Sequence, residues 1–338
     1  MRSTLARLLP RRRRAAVLLQ ATCVALAVVI AQSESAHAQA YPRKPVTIVV
    51  PYSPGAATDL LARAAAQRLT ELLGQPFVVV NRDGASGAIG TDYVARAAPD
   101  GYTLLWGSSG PLTISPNINS KLPYDPLRDF APVSTFSLIP YVLVVHPSLP
   151  VKSLKELIAV AKARPGQLSY PSSGTGSAPH LATELFKSKA GIDVLHVPYR
   201  GTALFMSDLI SGQVQLAFTG TASSLGYIKA GRLAPLAVTG DRRSDLIPHV
   251  PTMTQAGLPG YEMVVFYSLL APAATPREII NTLHAALHKS LEHSDIRARI
   301  AAEGAYPAGN TPEQFAAFLK AELAKHAKVI KDAGIKAN

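Results

Sequence analysis

Cysteine is all but absent. Of 338 residues only Cys23 carries a thiol, and it stands among apolar residues near the N-terminus. Everything after it must fold without disulfides, and thiol nucleophiles and cysteine-ligated metals are excluded from the same region. The usual catalytic signatures are missing too. There is no Gly-x-Ser-x-Gly elbow, since "WGSSG" at 106–110 breaks off at Pro111, and "GTGSAP" at 174–179 lacks the third glycine of a dinucleotide fingerprint. No phosphate-loop lysine follows, and no paired carboxylates stand out for acid–base work. His284, His288 and Glu292 recur four apart, on one helical face, but no third strong ligand or general-base glutamate completes a metal site. The formal charge is +12, yet Lys and Arg are spread along the chain without a basic-aromatic cluster, which argues against nucleic acid as a partner. These absences predict no catalytic residue, no metal and no cofactor, and hence a protein that is not an enzyme.

What is present begins with an export signal. Arg2, Arg7 and Arg11, Arg12, Arg13 and Arg14 form a basic start, and residues 15–31 are an apolar stretch, short for a membrane span. Ala36, Ala38 and Ala40 then supply small residues for cleavage after Ala38 or Ala40. The arginine run lacks the rest of a twin-arginine pattern, so residues 1–40 read as an ordinary cleaved signal peptide and the mature chain as periplasmic. Cleavage removes six arginines and Glu34, leaving a formal charge of +7.

From Val46 onward short β-branched runs alternate with amphipathic segments, the pattern of βαβ units and a largely parallel sheet. Strands are predicted at 46–50, 77–80, 103–106, 141–145, 168–170, 194–197, 214–219, 234–239 and 263–270. Leu61, Ala65, Leu69 and Leu72 recur at helical spacing, opposite Arg63, Gln67, Arg68 and Glu71, and predict a surface helix over 59–73. Capping patterns mark three further helix starts: Ser153 with Glu156, Thr275 with Pro276 and Glu278, and Thr311 with Pro312 and Gln314. The last opens a helix with Phe315, Phe318, Leu319, Leu323 and Ile330 on one stripe. Two strand-like runs, at 141–145 and 263–270, bracket a middle block with its own alternation. A chain that leaves one α/β unit, builds a second and returns crosses twice, and a cleft lies between the units.

Ligands of open α/β sheets sit beyond the carboxyl ends of strands. Four loops there are rich in Gly, Ser and Thr: "PYSPGAATD", "WGSSG", "PSSGTGSAPHL" and "GTASS". Small residues let backbone N–H groups approach an anion, and hydroxyls and helix dipoles favour negative charge. The candidate contacts are Tyr52, Ser53, Gly55, Ala56, Ala57, Thr58 and Asp59; Ser108 and Ser109; Ser172, Ser173, Gly174, Thr175, Gly176 and Ser177; and His180, Arg200 and Thr219. Asp59 either caps its helix or touches ligand, His180 caps, packs or binds, and Arg200 in "HVPYRG" either clamps a carboxylate or pairs on the surface.

Several blocks together carry a resemblance: "YPRKPVTIVVPYSPGAATDLLAR", "GQPFVVVNRDGASGAIG", "AAPDGYTLLWG", "LPYDPLRDFAPV", "HPSLPVKSLKEL", "HVPYRG", "IKAGRLAPLAVTG", "VPTMTQAGLPGYE" and "TPEQFAAFLKAE". Over residues 41–335 the chain resembles the Bug-type solute receptors of tripartite tricarboxylate transporters. The resemblance implies a type II periplasmic binding protein, with two α/β domains joined by two crossing segments around a ligand cleft: 41–141 plus 262–338 as one domain, 142–261 as the other. It implies a monomer that captures a small organic, carboxylated solute by closure, with membrane subunits of the transporter as partners. The alternatives are a receptor read by a sensor protein, and a secreted α/β enzyme acting on carboxylates.

The family's first-loop pattern falls on Val50, Pro51, Tyr52, Pro54, Gly55, Ala56 and Asp59, and its second on Ser172, Ser173, Gly174, Gly176 and Ser177, in the opposite domain. Tyr52 replaces the usual Phe. Ala56 replaces a second Gly, which restricts the backbone if that position needs a positive φ. Where many members carry an acid and Asn, this chain reads Phe218, Thr219, Gly220, Thr221. Without an acid to attract an ammonium, the expected ligand is a less polar acid, aromatic or a simple dicarboxylate.

Overall fold

The structure, a computed structural model, describes residues 41–332 and 334–335. The predicted signal peptide at 1–40, Cys23 included, lies outside the described residues. Ten strands and ten α-helices follow in the described chain. All five residues of strand β1 (Val46–Val50) are β-branched, and Val46, Ile48, Val49 and Val50 are fully buried. Helix α1 (Ala57–Leu73) buries Leu61, Ala65 and Leu69 as its spacing predicts, and Gly74 ends it at φ 72°, its N–H on the Thr70 carbonyl. Strand β2 (Phe77–Asn81), a tight turn at 85–87, α2 (Ala88–Ala95), β3 (Thr103–Ser108), a wide turn at 110–114 and α3 (Ser115–Ile118) complete the first part.

Strand β4 (Phe130–Val145) leads into α4 (Leu154–Ala163), β5 (Ser169–Ser172), α5 (Ala178–Ala190), β6 (Leu195–Pro198), α6 (Thr202–Ser211), β7 (Leu216–Gly220), α7 (Thr221–Lys229) and β8 (Ala234–Val238). The chain returns through β9 (Val264–Pro272), then α8 (Arg277–Glu292), α9 (Ser294–Ala302), the short β10 (Tyr306–Pro307) and α10 (Pro312–Asp332).

The main sheet runs β10-β4-β9-β3-β1-β2, with β7 and β8 also paired to β4, and β5-β6 form a separate pair. The two predicted crossing runs are neighbours: β4 and β9 pair antiparallel from Phe130↔Pro272 to Pro140↔Val264. Beyond Pro140 the same strand turns to new partners, with Tyr141 opposite Gly220 on β7 and Val142 opposite Val238 on β8. One strand thus serves two sheet regions.

Three sequence expectations need correction. The sheet is mixed, because only β1-β2, β1-β3 and β5-β6 are parallel, while every pairing of β4 and β9 is antiparallel. Strand β4 also begins far ahead of the predicted 141: Pro132, Ser134, Thr135 and Ser137 hide its first half, and register shifts after Pro132 and Thr135 absorb the irregularity. Of the three caps, Ser153 accepts the Glu156 N–H at 3.2 Å, and Thr311 and Gln314 form a reciprocal box at 2.9 and 3.2 Å. Thr275 does not cap. Helix α8 starts at Arg277, behind Pro276 in extended backbone, and the buried Thr275 hydroxyl has no partner.

Among the described residues, two clusters of buried side chains mark the parts of the fold that β4 joins. One joins Val49, Leu105, Phe130, Phe266, Leu270, Phe315 and Leu319; the other joins Val142, Val144, Phe205, Leu209, Ala217 and Val238. Strand β4 contributes to both. Phe266 meets Phe315 edge-on at 6.3 Å, which docks α10 against the sheet.

Candidate functional site

Four helices begin around one small cavity, and in none of them does a side chain cap the first turn. Ala56 stands at the cap position of α1, Ser177 of α5, Gly201 of α6 and Gly220 of α7, each without a side-chain cap bond. Ala56, Ala57, Pro179, Thr202 and Gly220 line the cavity, which holds about 40 Å³. Uncapped first turns leave N–H groups for an external acceptor, and the partial positive ends of the helix dipoles add to the field. Away from the cavity Ser153, His293 and Thr311 cap their helices, while α2, α3 and α8 also start without a side-chain cap, so what distinguishes the four starts is their convergence on one cavity. The remaining walls are Ile139, Tyr141, Phe205, Thr219, Ser223, Tyr267 and Glu303. Burial pushes the phenols of Tyr141 and Tyr267 up, so both keep their protons as hydrogen-bond donors.

The first loop is shaped from below by Asp59. Its Oδ2 accepts the Gly55 N–H at 3.1 Å and Arg63 Nε at 3.0 Å, and its Oδ1 accepts Asn81 Nδ2 at 2.9 Å. Asn81 Nδ2 also donates to the Tyr52 carbonyl at 2.9 Å. Burial opposes ionisation of Asp59, but the bonds from Arg63, Asn81 and Gly55 outweigh it and hold the carboxyl below its ordinary value. With these three partners, Asp59 positions the loop instead of lining the cavity. Gly55 takes the left-handed turn at φ 91°, and Ala56 sits at φ −85°, ψ 166°. The alanine therefore costs the backbone nothing, and its methyl simply forms part of the wall.

Tyr52 shows what its hydroxyl adds over phenylalanine: it donates to the Ser86 carbonyl at 3.3 Å and accepts from Ser108 Oγ at 3.5 Å. Burial chiefly, against the Ser108 bond, raises its pKa to about 12. The close fit needs glycine next door, because a Cβ on Gly110 would lie 2.5 Å from that hydroxyl. Ser109 is tied elsewhere, its Oγ accepting the Phe266 N–H at 3.0 Å. Ser53 points outward to Asp83 Oδ2 at 2.8 Å, and Thr58 Oγ1 is buried without a partner.

The loop from Ser172 to Ser177 is bonded largely to itself. Ser172 Oγ accepts the Gly174 N–H at 3.1 Å, and Ser177 Oγ donates to the Gly174 carbonyl at 2.6 Å. Ser173 Oγ meets Thr202 Oγ1 at 3.3 Å. The Gly176 N–H reaches His180 Nδ1 at 3.3 Å, so His180 fixes this loop. Its ring lies 4.4 Å from that of His196, and burial first, then the neighbouring charges of His196 and Lys187, lower its pKa to about 3. Ser172 Oγ is also 2.7 Å from His196 Nε2, the distance of a nucleophile and its base, but Ser172 is wholly buried and already holds Gly174. That pair is a clamp.

Of the predicted contacts, the structure brings Ala56, Ala57 and Thr219 to the first cavity. Thr175 and Gly176 line a second, of about 310 Å³, with Ala85, Ser86, Ser115, Ile118, Asn119 and Leu122. Arg200 is exposed, lines neither cavity and joins no ion pair among the described residues. Sequence reasoning missed Ile139, Tyr141, Pro179, Thr202, Phe205, Gly220, Ser223, Tyr267 and Glu303. Gly220 and Ser223 lie in the flagged loop "GTASS", and Pro179 in "PSSGTGSAPHL"; the aromatic walls and Glu303 carried no local signal. His284 and His288 stack at 5.9 Å on α8, and among the described residues no group of three His, Asp or Glu is placed to hold a metal.

A mixed α/β frame with helix starts gathered at one cavity defines a solute-binding protein of the periplasmic type. The chain belongs to the family described as "Tripartite tricarboxylate transporter family receptor", whose sequence pattern matches residues 61–335. It is 39% identical over 300 residues to Protein BugT of Bordetella pertussis, covering 88% of this chain and 92% of that protein. Among solved structures, "R. palustris Rpa4515 with adipate" superposes with a TM-score of 0.84 at 40% identity, covering 88% of this chain and all of the other. MatC of Rhodopseudomonas palustris "with bound malate" gives 0.80 at 31%, over 86% of this chain and all of the other. Among the described residues no helix is long and apolar enough to cross a membrane.

Proposed function

We propose that this receptor traps a small carboxylated solute in the cavity between α1, α5, α6 and α7 and delivers it to the membrane subunits of a tripartite tricarboxylate transporter. The observation that carries the reading is the convergence of four uncapped helix N-termini on one cavity. Neutral N–H and hydroxyl donors hold a carboxylate without the permanence of a buried salt bridge, which suits a site that must release its cargo. Adipate and malate in the two similar structures are both carboxylates and support the same class.

The two core clusters support a division into two lobes, 41–141 plus 262–338 and 142–261, hinged where β4 and β9 run side by side. Each lobe brings part of the ring of donors, so ligand and closure stabilise one another. With walls this close, a longer solute requires the lobes to stand further apart. The test is a melting screen of the purified mature chain against carboxylic acids, adipate and malate included, with sugars and amines as controls. A ligand at 100 times its Kd raises stability by about 2.7 kcal/mol, a shift easily read. Flat melting curves for every acid, or a response confined to the controls, would overturn the proposal.

A further inference from the structure

The walls of the cavity include one acid. Glu303 follows α9 directly, in the position that ends the helix, where the dipole is negative and disfavours a second negative charge. It is half-buried, and its carboxyl makes no hydrogen bond or ion pair among the described residues. Burial raises its pKa. Gly304, at φ 70°, seats the turn against Thr221 at the start of α7: a Cβ there would lie 3.2 Å from Thr221 Cβ. The acid is thus held beside the helix starts that favour an anion. The other polar side chains that line the cavity are hydroxyls, those of Tyr141, Thr202, Thr219, Ser223 and Tyr267.

An acid with no partner, at the unfavourable end of a helix and inside an anion-favouring cavity, lacks only a donor from the solute. We infer that Glu303 is a specificity-determining residue that accepts a hydrogen bond from a hydroxyl or ammonium group on the bound acid, so that the receptor prefers hydroxy- or amino-substituted carboxylates to their unsubstituted counterparts. This rests on the receptor reading above. It also reverses the expectation drawn from residues 218–221: the acid missing after β7 enters the cavity from the end of α9.

The test is calorimetry on the purified mature chain with matched pairs: lactate and propionate, malate and succinate, aspartate and succinate, 2-hydroxyadipate and adipate. In the unchanged protein the substituted member of at least one pair binds ten-fold tighter or more. In Glu303→Leu that ratio falls below about two-fold, and the unsubstituted acid binds as well as before or better, since a repelling charge is gone. Glu303→Gln, which keeps an acceptor, retains preference for the hydroxyl and loses it for the ammonium. Unliganded melting of each variant confirms folding. Equal binding within every pair, or a ratio unmoved by Glu303→Leu, overturns the role of Glu303 and leaves the receptor reading intact. Failure of all these acids to bind overturns both.

Discussion

Ser86 Oγ donates to the Thr175 carbonyl at 2.8 Å, joining residues 89 positions apart. Ser115 Oγ reaches the neighbouring Gly176 carbonyl at 3.3 Å. These bonds tie the turn after β2 and the start of α3 to the loop before α5, and so cross between the two proposed lobes. The Ser86 end is strained, since Ala85 and Ser86 both take left-handed backbone at φ 47° and 55°. Non-glycine residues there cost about 1–2 kcal/mol each, and such strain persists where it sets up a contact.

Removing the first bond therefore loosens closure more than it harms folding. A net hydrogen bond is worth about 0.5–1.5 kcal/mol, so Ser86→Ala weakens solute binding about five-fold, and Ser86→Ala with Ser115→Ala weakens it further. Calorimetry gives the affinity, and small-angle scattering of the unliganded variants shows a larger mean radius. Unchanged affinity in the double variant would remove these bonds from any part in closure.

Gly174 faces the same hydroxyl. It sits at φ 106°, and a Cβ on it would lie 2.7 Å from Ser86 Oγ. Gly174→Ala is thus penalised twice, by backbone and by contact, and lowers stability by about 1–3 kcal/mol. In a Ser86→Gly background only the backbone part remains. A cycle of the four proteins in urea unfolding should show coupling of at least about 0.5 kcal/mol; strictly additive losses would mean that the contact relaxes freely.

Strands rich in β-branched residues were legible because each carries its own signal: β1, β2, β3, β7 and β8 start within two residues of the predicted positions. The first half of β4 was not, because its prolines and serines fit only through pairing with β9, a long-range fact. The site divides the same way. Loops announce themselves by glycine and serine, but whether a hydroxyl faces cargo or backbone is decided by neighbours far along the chain. Ser109 is engaged by Phe266 and Thr175 by Ser86. Glu303 lay beyond local reading, because nothing in the sequence around the end of α9 marks it as a residue that lines the cavity.

Asp59 tests the difference between holding a ligand and holding a loop. Asp59→Asn keeps the size but puts an amide in place of a carboxylate that accepts from three donors, so it lowers stability by about 1–3 kcal/mol. The acid's folded pKa is lowered from 3.8, so its contribution is present above that value and lost as pH falls through the folded value. Stability curves of wild type and Asp59→Asn should therefore converge at the acid end. If the variant keeps wild-type stability at pH 7, Asp59 is not the strut of this loop.

Buried histidines contribute to the behaviour at mildly acid pH, His326 and His180 most strongly, and His196, lowered chiefly by burial, in the same direction. His326 Nδ1 meets Thr113 Oγ1 at 2.9 Å, and burial foremost, then Lys325, lowers its pKa from 6.5 to about 4, against a bond with the Thr113 backbone. His180 is lowered from 6.5 to about 3. Between 6.5 and the folded values the unfolded chain binds protons that the folded chain does not, so stability is full above pH 6.5 and falls as pH drops. Each group contributes a slope of about 1.4 kcal/mol per pH unit within its window. His326→Gln removes one such group, so between pH 4.5 and 6 its unfolding free energy should change less steeply than that of the wild type by about that slope, as read by urea titrations at several pH values. Parallel curves would show that His326 is protonated in the fold at these pH values, and that its hydrogen bond to Thr113 outweighs burial.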